Sequence, residues 1–431
     1  MLSALLFLTP ALVAPVHAIN LRFPYGDEKV RGVNLGGWLV MEPWITPSMF
    51  EAAGSAAIDE WTYGQAAQDN ASLKTKLKTH WNTWITESDI AAIAAAGLNH
   101  VRIPIGYWAF DTSAGEPYIS GQYPYLLKAI QWCSDYDVKV LIDLHGVPGS
   151  QNGFDNSGRR GTLTWPNLQS NIDRTNAIIT QLAHEFSQSK YASTVVSIAP
   201  INEPASFKSS SVMPAVKSLY STSYASIRRP FKKTNTQGDL LMLIHDAFQN
   251  LTTYWQGYMT PDQNAGSGLG NYAGVAIDSH SYSVFSTGEL EMSDAERFAV
   301  KCQLGNEVKA FSNANIWSII GEWTVASTDC AKYLNGRGIG ARYDGSYSGS
   351  TYIGSCTGKT GSASSFSSTY KVFLRKNFEA QTTAYERGQG WIFWTWKAES
   401  ADDWSYQAGI KGGWIPATNP AEKKYGNICG Y

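Results

Sequence analysis

Val195-Val196-Ser197-Ile198-Ala199-Pro200-Ile201-Asn202-Glu203-Pro204 is a short apolar run, partly β-branched, that ends on a carboxylate. Ile316-Trp317-Ser318-Ile319-Ile320-Gly321-Glu322-Trp323 repeats the arrangement later in the chain. Runs of this length, bounded by proline or glycine, read as buried strands. Each delivers a glutamate at its C-terminal end. The segments 32–35, 100–105, 139–144, 240–244, 275–279 and 390–394 have the same strand character. Helix-period segments lie between them. Ser88-Asp89 caps one that runs to Ala96 and stops at Gly97; others cover 123–135, 168–187, 213–228, 294–311 and 369–387. Alternating strands and helices imply a parallel sheet, and eight strands imply closure. The expected fold is therefore α/β, a (β/α)8 TIM barrel, a single domain with long βα loops. The Gly- and Ser-rich stretches 335–340 and 349–368 fall inside the repeat order and read as such loops.

The 431 residues are 43% hydrophobic, enough for one large core. A net charge of −2 gives nucleic acid and anionic membranes nothing to bind. With 16 Trp and 23 Tyr, the chain has aromatic rings to spare beyond a core, and sugar rings stack on such faces. Residues 1–18 read as a secretory signal peptide: an uncharged apolar stretch, then Val16-His17-Ala18 as a small-x-small cleavage site. The expected n-region Lys or Arg is missing. The catalytic domain would then be 19–431, a secreted, soluble monomer. Its last residues, 427–431, form no hydrophobic tail for a lipid anchor.

Five cysteines fit an oxidising compartment with two bridges and one spare. Cys133 lies in a helical pattern and reads as a buried free thiol. The other four allow three pairings. Cys330 and Cys356 bracket a Gly/Ser-rich loop, which favours their local closure and would leave Cys302 with Cys429. Asn70-Ala71-Ser72 and Asn250-Leu251-Thr252 are glycan acceptor sequons.

Barrels carry chemistry at the C-terminal ends of their strands. Those ends hold Arg102, Asp143-Leu144-His145, Asn202-Glu203, His280-Ser281-Tyr282, Glu322 and Trp394-Thr395-Trp396-Lys397. Two carboxylates on one such face suit glycoside hydrolysis, which needs a proton donor and a nucleophile. The histidine spacing fits no zinc signature, so no metal and no organic cofactor is expected.

Longer motifs sharpen this reading. They are Arg31-Gly32-Val33-Asn34-Leu35-Gly36-Gly37-Trp38, Val101-Arg102-Ile103-Pro104-Ile105-Gly106-Tyr107-Trp108, Asp143-Leu144-His145-Gly146 and Gly149-Ser150-Gln151-Asn152-Gly153-Phe154-Asp155-Asn156-Ser157-Gly158. Together with Asn202-Glu203-Pro204, the chain from residue 31 to 431 resembles the secreted fungal exo-β-1,3-glucanases of glycoside hydrolase family 5. The resemblance implies release of glucose from the non-reducing ends of β-1,3-glucans with retention of configuration, and transglycosylation as a side reaction. It makes Glu203 the acid/base and Glu322 the nucleophile. It places Arg102 and Tyr282 on Glu322, and Asn202, His145 and His280 around the reacting sugar. Trp394 becomes the platform under that sugar, in preference to Trp396. Phe154 and Phe285 would clamp the next sugar, and Glu42 and Asp155 would bind hydroxyls of the terminal glucose. Trp44 departs from the tyrosine expected there. Burial and the charge of Glu322 are expected to raise the pKa of Glu203, while Arg102 keeps Glu322 ionised. Competing readings are a β-1,6-glucanase, a β-glucosidase acting on small glucosides, and a wall carbohydrate-binding protein without catalysis.

Overall fold

β1 (Val30–Asn34), β2 (His100–Gly106), β3 (Lys139–Gly146), β4 (Val195–Ala199), β5 (Leu241–His245), β6 (Val275–Ser281), β7 (Trp317–Trp323) and β8 (Gly390–Phe393) pair in sequence order. β8 returns to pair with β1, so the parallel sheet closes as the (β/α)8 barrel expected. The computed structural model describes residues 19–231, 238–261 and 272–431; the segment read as a signal peptide, 1–18, lies outside the described residues.

The residues facing the inside of the barrel change character along its axis. At the N-terminal end, Val30, Leu141, Leu241, Leu243, Ala276, Ile319 and Ile392 form one apolar cluster, which Phe23 and Tyr25 join from the strand beginnings. Phe23 meets the His100 ring edge-on at 4.5 Å. Arg22 fastens this plug by donating to the carbonyls of Phe186 and Val195 at 2.8 and 2.9 Å. Further along the strands, two residues beyond the plug on β3, β5 and β6, the barrel interior carries Asn34, Arg102, Asp143, His245, Asp278 and Glu322, all buried. The period-2 alternation of strands thus puts a dry floor beneath a charged layer.

Two bulges shape the charged layer. β2 and β3 pair Ile105 with Leu144 and then Gly106 with Gly146, stepping over His145. β6 and β7 pair Ser279 with Ile320 and then His280 with Glu322, stepping over Gly321. An extra residue on one strand re-aims the side chains beside it. β3 and β6 run two residues past the ends read from sequence, to Gly146 and Ser281. β4 stops early, at Ala199, before Pro200, which has no N–H for a ladder.

The helix expected from Ser88-Asp89 begins at Glu87 and is capped by Thr86. Asp89 instead closes the capping box, accepting the Thr86 N–H at 2.9 Å, and also receives Lys397 Nζ and Trp396 Nε1 at 2.9 Å. Three helices between β1 and that helix were not foreseen: Pro47–Ala52, Glu60–Ala67 and Ala71–Thr83. The other five helical segments fall where expected, within a few residues at each end. Disulfides join Cys302 to Cys429 and Cys330 to Cys356, leaving Cys133 buried and free. Among the described residues no helix is long and apolar enough to cross a membrane.

Candidate active site

Glu203 follows β4 with a left-handed φ of 46°, a conformation that costs a non-glycine residue energy and is held by its surroundings. The preceding Asn202 N–H donates to the Leu144 carbonyl at 3.2 Å, carrying the β3 contact beyond the strand. Glu203 Oε1 lies 2.7 Å from His280 Nδ1, and Oε2 accepts from Asn156 Nδ2 at 2.9 Å. Glu322 sits on β7 beside the bulge. Its Oε1 accepts from Arg102 Nη1, and its Oε2 from the Tyr282 hydroxyl, each at 2.8 Å. The same His280 Nδ1 is 3.4 Å from Glu322 Oε2. Gly321 makes this geometry possible: its N–H donates to Asp278 Oδ1 at 2.7 Å, and a Cβ there would overlap the Asp278 carboxylate.

Arg102 ties the layer together. Beyond Glu322 it donates to Asn34 Oδ1 at 3.0 Å and Asn202 Oδ1 at 2.7 Å, and it lies 3.1 Å from Asp143 Oδ2. The other Asp143 contact is His145 Nδ1 at 2.6 Å. His145 stacks almost parallel to Trp394, with centroids 5.6 Å apart. Gln151 Nε2 donates to the carbonyls of both His145 and Asn202, so the loop after β3 braces the segment after β4. Trp394 precedes a cis peptide to Thr395. Trp396 is buried, with Nε1 turned to Asp89 and away from any guest.

The electrostatics reverse one expectation. Burial pushes the Glu203 carboxyl up, but the hydrogen bond and charge of His280 outweigh it and hold Glu203 down to about 2. His280 in turn stays well above the usual imidazole range: burial opposes its charge, and Glu322 and Asp278 overcome burial. Burial lifts Glu322 above the usual carboxylate value, opposed by His280 and Arg102. The 2.7 Å contact between His280 Nδ1 and Glu203 Oε1 therefore favours a charged pair, imidazolium against carboxylate. Sequence gave no sign of this, because the bulge in β6–β7 brings His280 between the two carboxylates.

His245, at the end of β5, is a site residue that the sequence reading passed over. It meets the His280 ring edge-on at 4.4 Å. Glu203, His245 and His280 place potential ligand atoms within 4.8 Å of one another. Hydrogen bonding argues against a metal there. His245 Nδ1 accepts the Ala247 N–H at 2.9 Å, so neutral His245 carries its proton on Nε2 and offers no lone pair. A metal-binding histidine does the opposite, donating from its second nitrogen. Burial and the charge of His280 keep His245 neutral, well below the usual range.

Further out, Glu42 is buried and accepts from Trp44 Nε1 at 2.9 Å. Burial, then the charges of Asp155 and Glu322, push its carboxyl well up. Asp155 is pushed up to about 7 by burial, and its Oδ2 is buried without a partner. Phe285 is exposed and packs edge-on to Tyr282 at 5.4 Å; Lys208 Nζ lies 3.9 Å over the Phe154 ring. Asn34, Asp278 and Asn156 complete the residues missed. Following the in–out alternation within the segments 32–35 and 275–279 finds the first two; Asn156 arrives from a loop and leaves no such signal.

Residues 65–340 match the cellulase family, glycosyl hydrolase family 5. A glucan 1,3-beta-glucosidase of Blumeria graminis is 43% identical over 410 residues, covering 94% of this chain and 91% of its own. A probable glucan 1,3-beta-glucosidase A of Aspergillus niger is 44% identical over 409 residues, covering 94% and 92%. The crystal structure of a rutinosidase from Aspergillus niger superposes with a TM-score of 0.68 at 19% identity, over 92% of this chain and 99% of that one, a likeness of fold. With a closed barrel, paired glutamates at the ends of β4 and β7, and relatives this similar along nearly its whole length, the chain belongs to glycosyl hydrolase family 5.

Proposed function

We propose that this protein is a secreted, retaining exo-acting glucan 1,3-β-glucosidase that releases glucose from the non-reducing ends of β-1,3-glucans. The observation that carries the chemistry is the shared His280 Nδ1, 2.7 Å from Glu203 and 3.4 Å from Glu322. Two such contacts keep the nearest carboxyl oxygens within about 6 Å of one another, compatible with the roughly 5–5.5 Å separation of retaining pairs. The linkage rests on the relatives' names.

Glu322 attacks the anomeric carbon, forming a glycosyl ester as the glycosidic C–O bond breaks. Arg102 and Tyr282 hold the nucleophile ionised and aimed until then. The Glu203–His280 pair supplies one proton to the departing oxygen. The two events are linked electrostatically. The charge of Glu322 is a main reason that His280 keeps its proton, and the ester has no such charge. As Glu322 is consumed, the proton passes from Nδ1 to the Glu203 carboxyl and on to the leaving group. Glu203 then takes a proton from the incoming water, which cleaves the ester and restores the β-anomer. A sugar hydroxyl in place of water gives transglycosylation. Asn202 would hold the 2-hydroxyl, and Trp394 the sugar face. Glu42 and Asp155 would close the pocket on the terminal glucose, and Phe154 and Phe285 would hold the next unit.

Asn70 and Asn250 are exposed helix N-caps whose Oδ1 atoms accept backbone N–H groups, leaving each amide nitrogen for a glycan. A signal peptide at 1–18 would deliver the chain to the compartment where glycans and disulfides form.

The test is proton NMR of first products from laminarin, pustulan and an aryl β-glucoside. β-Glucose from laminarin, and none of it from Glu322→Ala, is expected. α-Glucose as first product, or an active Glu322→Ala enzyme, would falsify the mechanism. Faster cleavage of pustulan would move the assignment to a β-1,6-glucanase, and of the small glucoside alone to a β-glucosidase. Glucan binding without turnover would leave a carbohydrate-binding protein.

A further inference from the structure

Glu60 is a buried carboxyl group that the mechanism leaves unused. It opens the helix Glu60–Ala67, in the β1 loop, and is 2% exposed. No cation lies within ion-pair distance among the described residues. Its two oxygens are spent on two different loops: Oε2 accepts the Met41 N–H at 2.9 Å, and Oε1 accepts Trp108 Nε1 at 3.0 Å. Met41 is next to Glu42. Trp108 follows β2 and stacks on Tyr118 with centroids 4.3 Å apart. Its ring lies so close to Gly106, Gly146 and Gly158 that a Cβ on any of them would strike it. Gly158 terminates the turn Asp155–Ser157, donating its N–H to the Asp155 carbonyl at 2.9 Å.

Both neighbours of Glu60 grip that same turn. Trp61 N–H donates to the Gly158 carbonyl at 2.9 Å. Asp59 caps the helix with Oδ1 while its Oδ2 accepts the Arg160 N–H at 2.7 Å. The Arg159 guanidinium covers the Trp61 ring at 3.8 Å. The tripeptide 59–61 therefore fastens together the loops carrying Glu42 and Asp155.

We propose that Glu60 is a positioning residue for the closed end of the sugar pocket, setting the spacing between Glu42 and Asp155 through Met41 and Trp108. The inference rests on the reading of that pocket as the terminal-glucose site. A buried carboxyl with no cation is expensive to ionise, and burial pushes Glu60 up to about 8. A hydrophobic residue would fill the space more cheaply but would accept neither N–H. What Glu60 contributes is therefore the two directed acceptors.

The experiment uses full-length Glu60→Gln and Asp59→Asn enzymes, assayed well below their melting temperatures. In Glu60→Gln one amide oxygen serves one N–H, and the amide nitrogen meets the other donor. Asp59→Asn keeps a capping oxygen but leaves one carboxyl oxygen too few for both the cap and Arg160. For each, KM for an aryl β-glucoside and Ki for glucose should rise together by about tenfold, with kcat changing less than about threefold. A lowered melting temperature with KM and Ki unchanged in both variants makes the role merely structural and overturns the proposal. The parent enzyme is measured alongside: if it neither cleaves the glucoside nor binds glucose, the pocket assignment itself fails.

Discussion

Tyr282→Phe removes one oxygen and little else. The ring contacts to Phe285 and Trp404, at 5.4 and 5.7 Å, are kept, while the 2.8 Å hydrogen bond to Glu322 Oε2 is lost. Burial, then the charges of Glu322 and Glu203, push the tyrosine hydroxyl well above its ordinary value, so it is a donor at every working pH. A hydrogen bond to a charged group contributes about 1.5–3 kcal/mol. At ~1.36 kcal/mol per pH unit, losing it raises the Glu322 pKa by about one to two units. The carboxylate then protonates at higher pH, so activity is lost earlier on acidification. The acid limb of kcat/KM should move up by that amount while the alkaline limb stays in place. An aryl glucoside with a good leaving group isolates this effect, since its departure needs little acid help. An acid limb within about 0.3 units of wild type would refute the reasoning, because a one-unit shift is the least this hydrogen bond predicts.

His280→Asn takes away the cation that holds Glu203 down. Glu203 then keeps its own proton under burial, the alkaline limb falls toward the pKa of the lone carboxyl, and turnover of poor leaving groups drops by about a hundredfold; an unmoved alkaline limb contradicts the shared proton. Glu203→Ala should lose activity on laminarin far more than on an activated aryl glucoside, and equal loss on both contradicts its role as the acid. Gly321→Ala drives a methyl into the Asp278 carboxylate and should destabilise the fold by about 1–3 kcal/mol while lowering kcat, read by denaturation and kinetics; wild-type values in both would show that the bulge tolerates a side chain. Cys302→Ser with Cys429→Ser opens a loop of 127 residues and should cost about 2–5 kcal/mol, measured by urea unfolding, with kcat unchanged.

The barrel was legible because its strands carry concentrated apolar runs bounded by proline, glycine or a polar residue, as at Ala199-Pro200, where β4 ends, and Ile320-Gly321, within β7. Both glutamates were legible for the same reason: each follows such a run directly. The helices Pro47–Ala52 and Glu60–Ala67 were not, since packing defines them more than periodicity does. Gly64, for instance, is pressed so close to the Pro117 carbonyl that no side chain fits. The protonation order was hidden for a different reason. Whether His280 faces one carboxylate, both or neither depends on a one-residue slip between β6 and β7, and a linear pattern does not record register. Asn156 was within a quoted motif, yet its reach to Glu203 spans 47 residues of chain and appears only when the barrel closes.

The aromatic plug of Phe23 and Tyr25 fixes which way the molecule faces when it is tethered. The chain enters the fold beneath the barrel, beside the strand beginnings, with Glu203 and Glu322 at the opposite pole. A carrier, bead or cell-surface anchor joined ahead of residue 19 would hold the enzyme from behind, with its pocket turned toward the surrounding polysaccharide. Display through that end should therefore preserve attack on bulky, insoluble glucan as well as on small soluble glucosides.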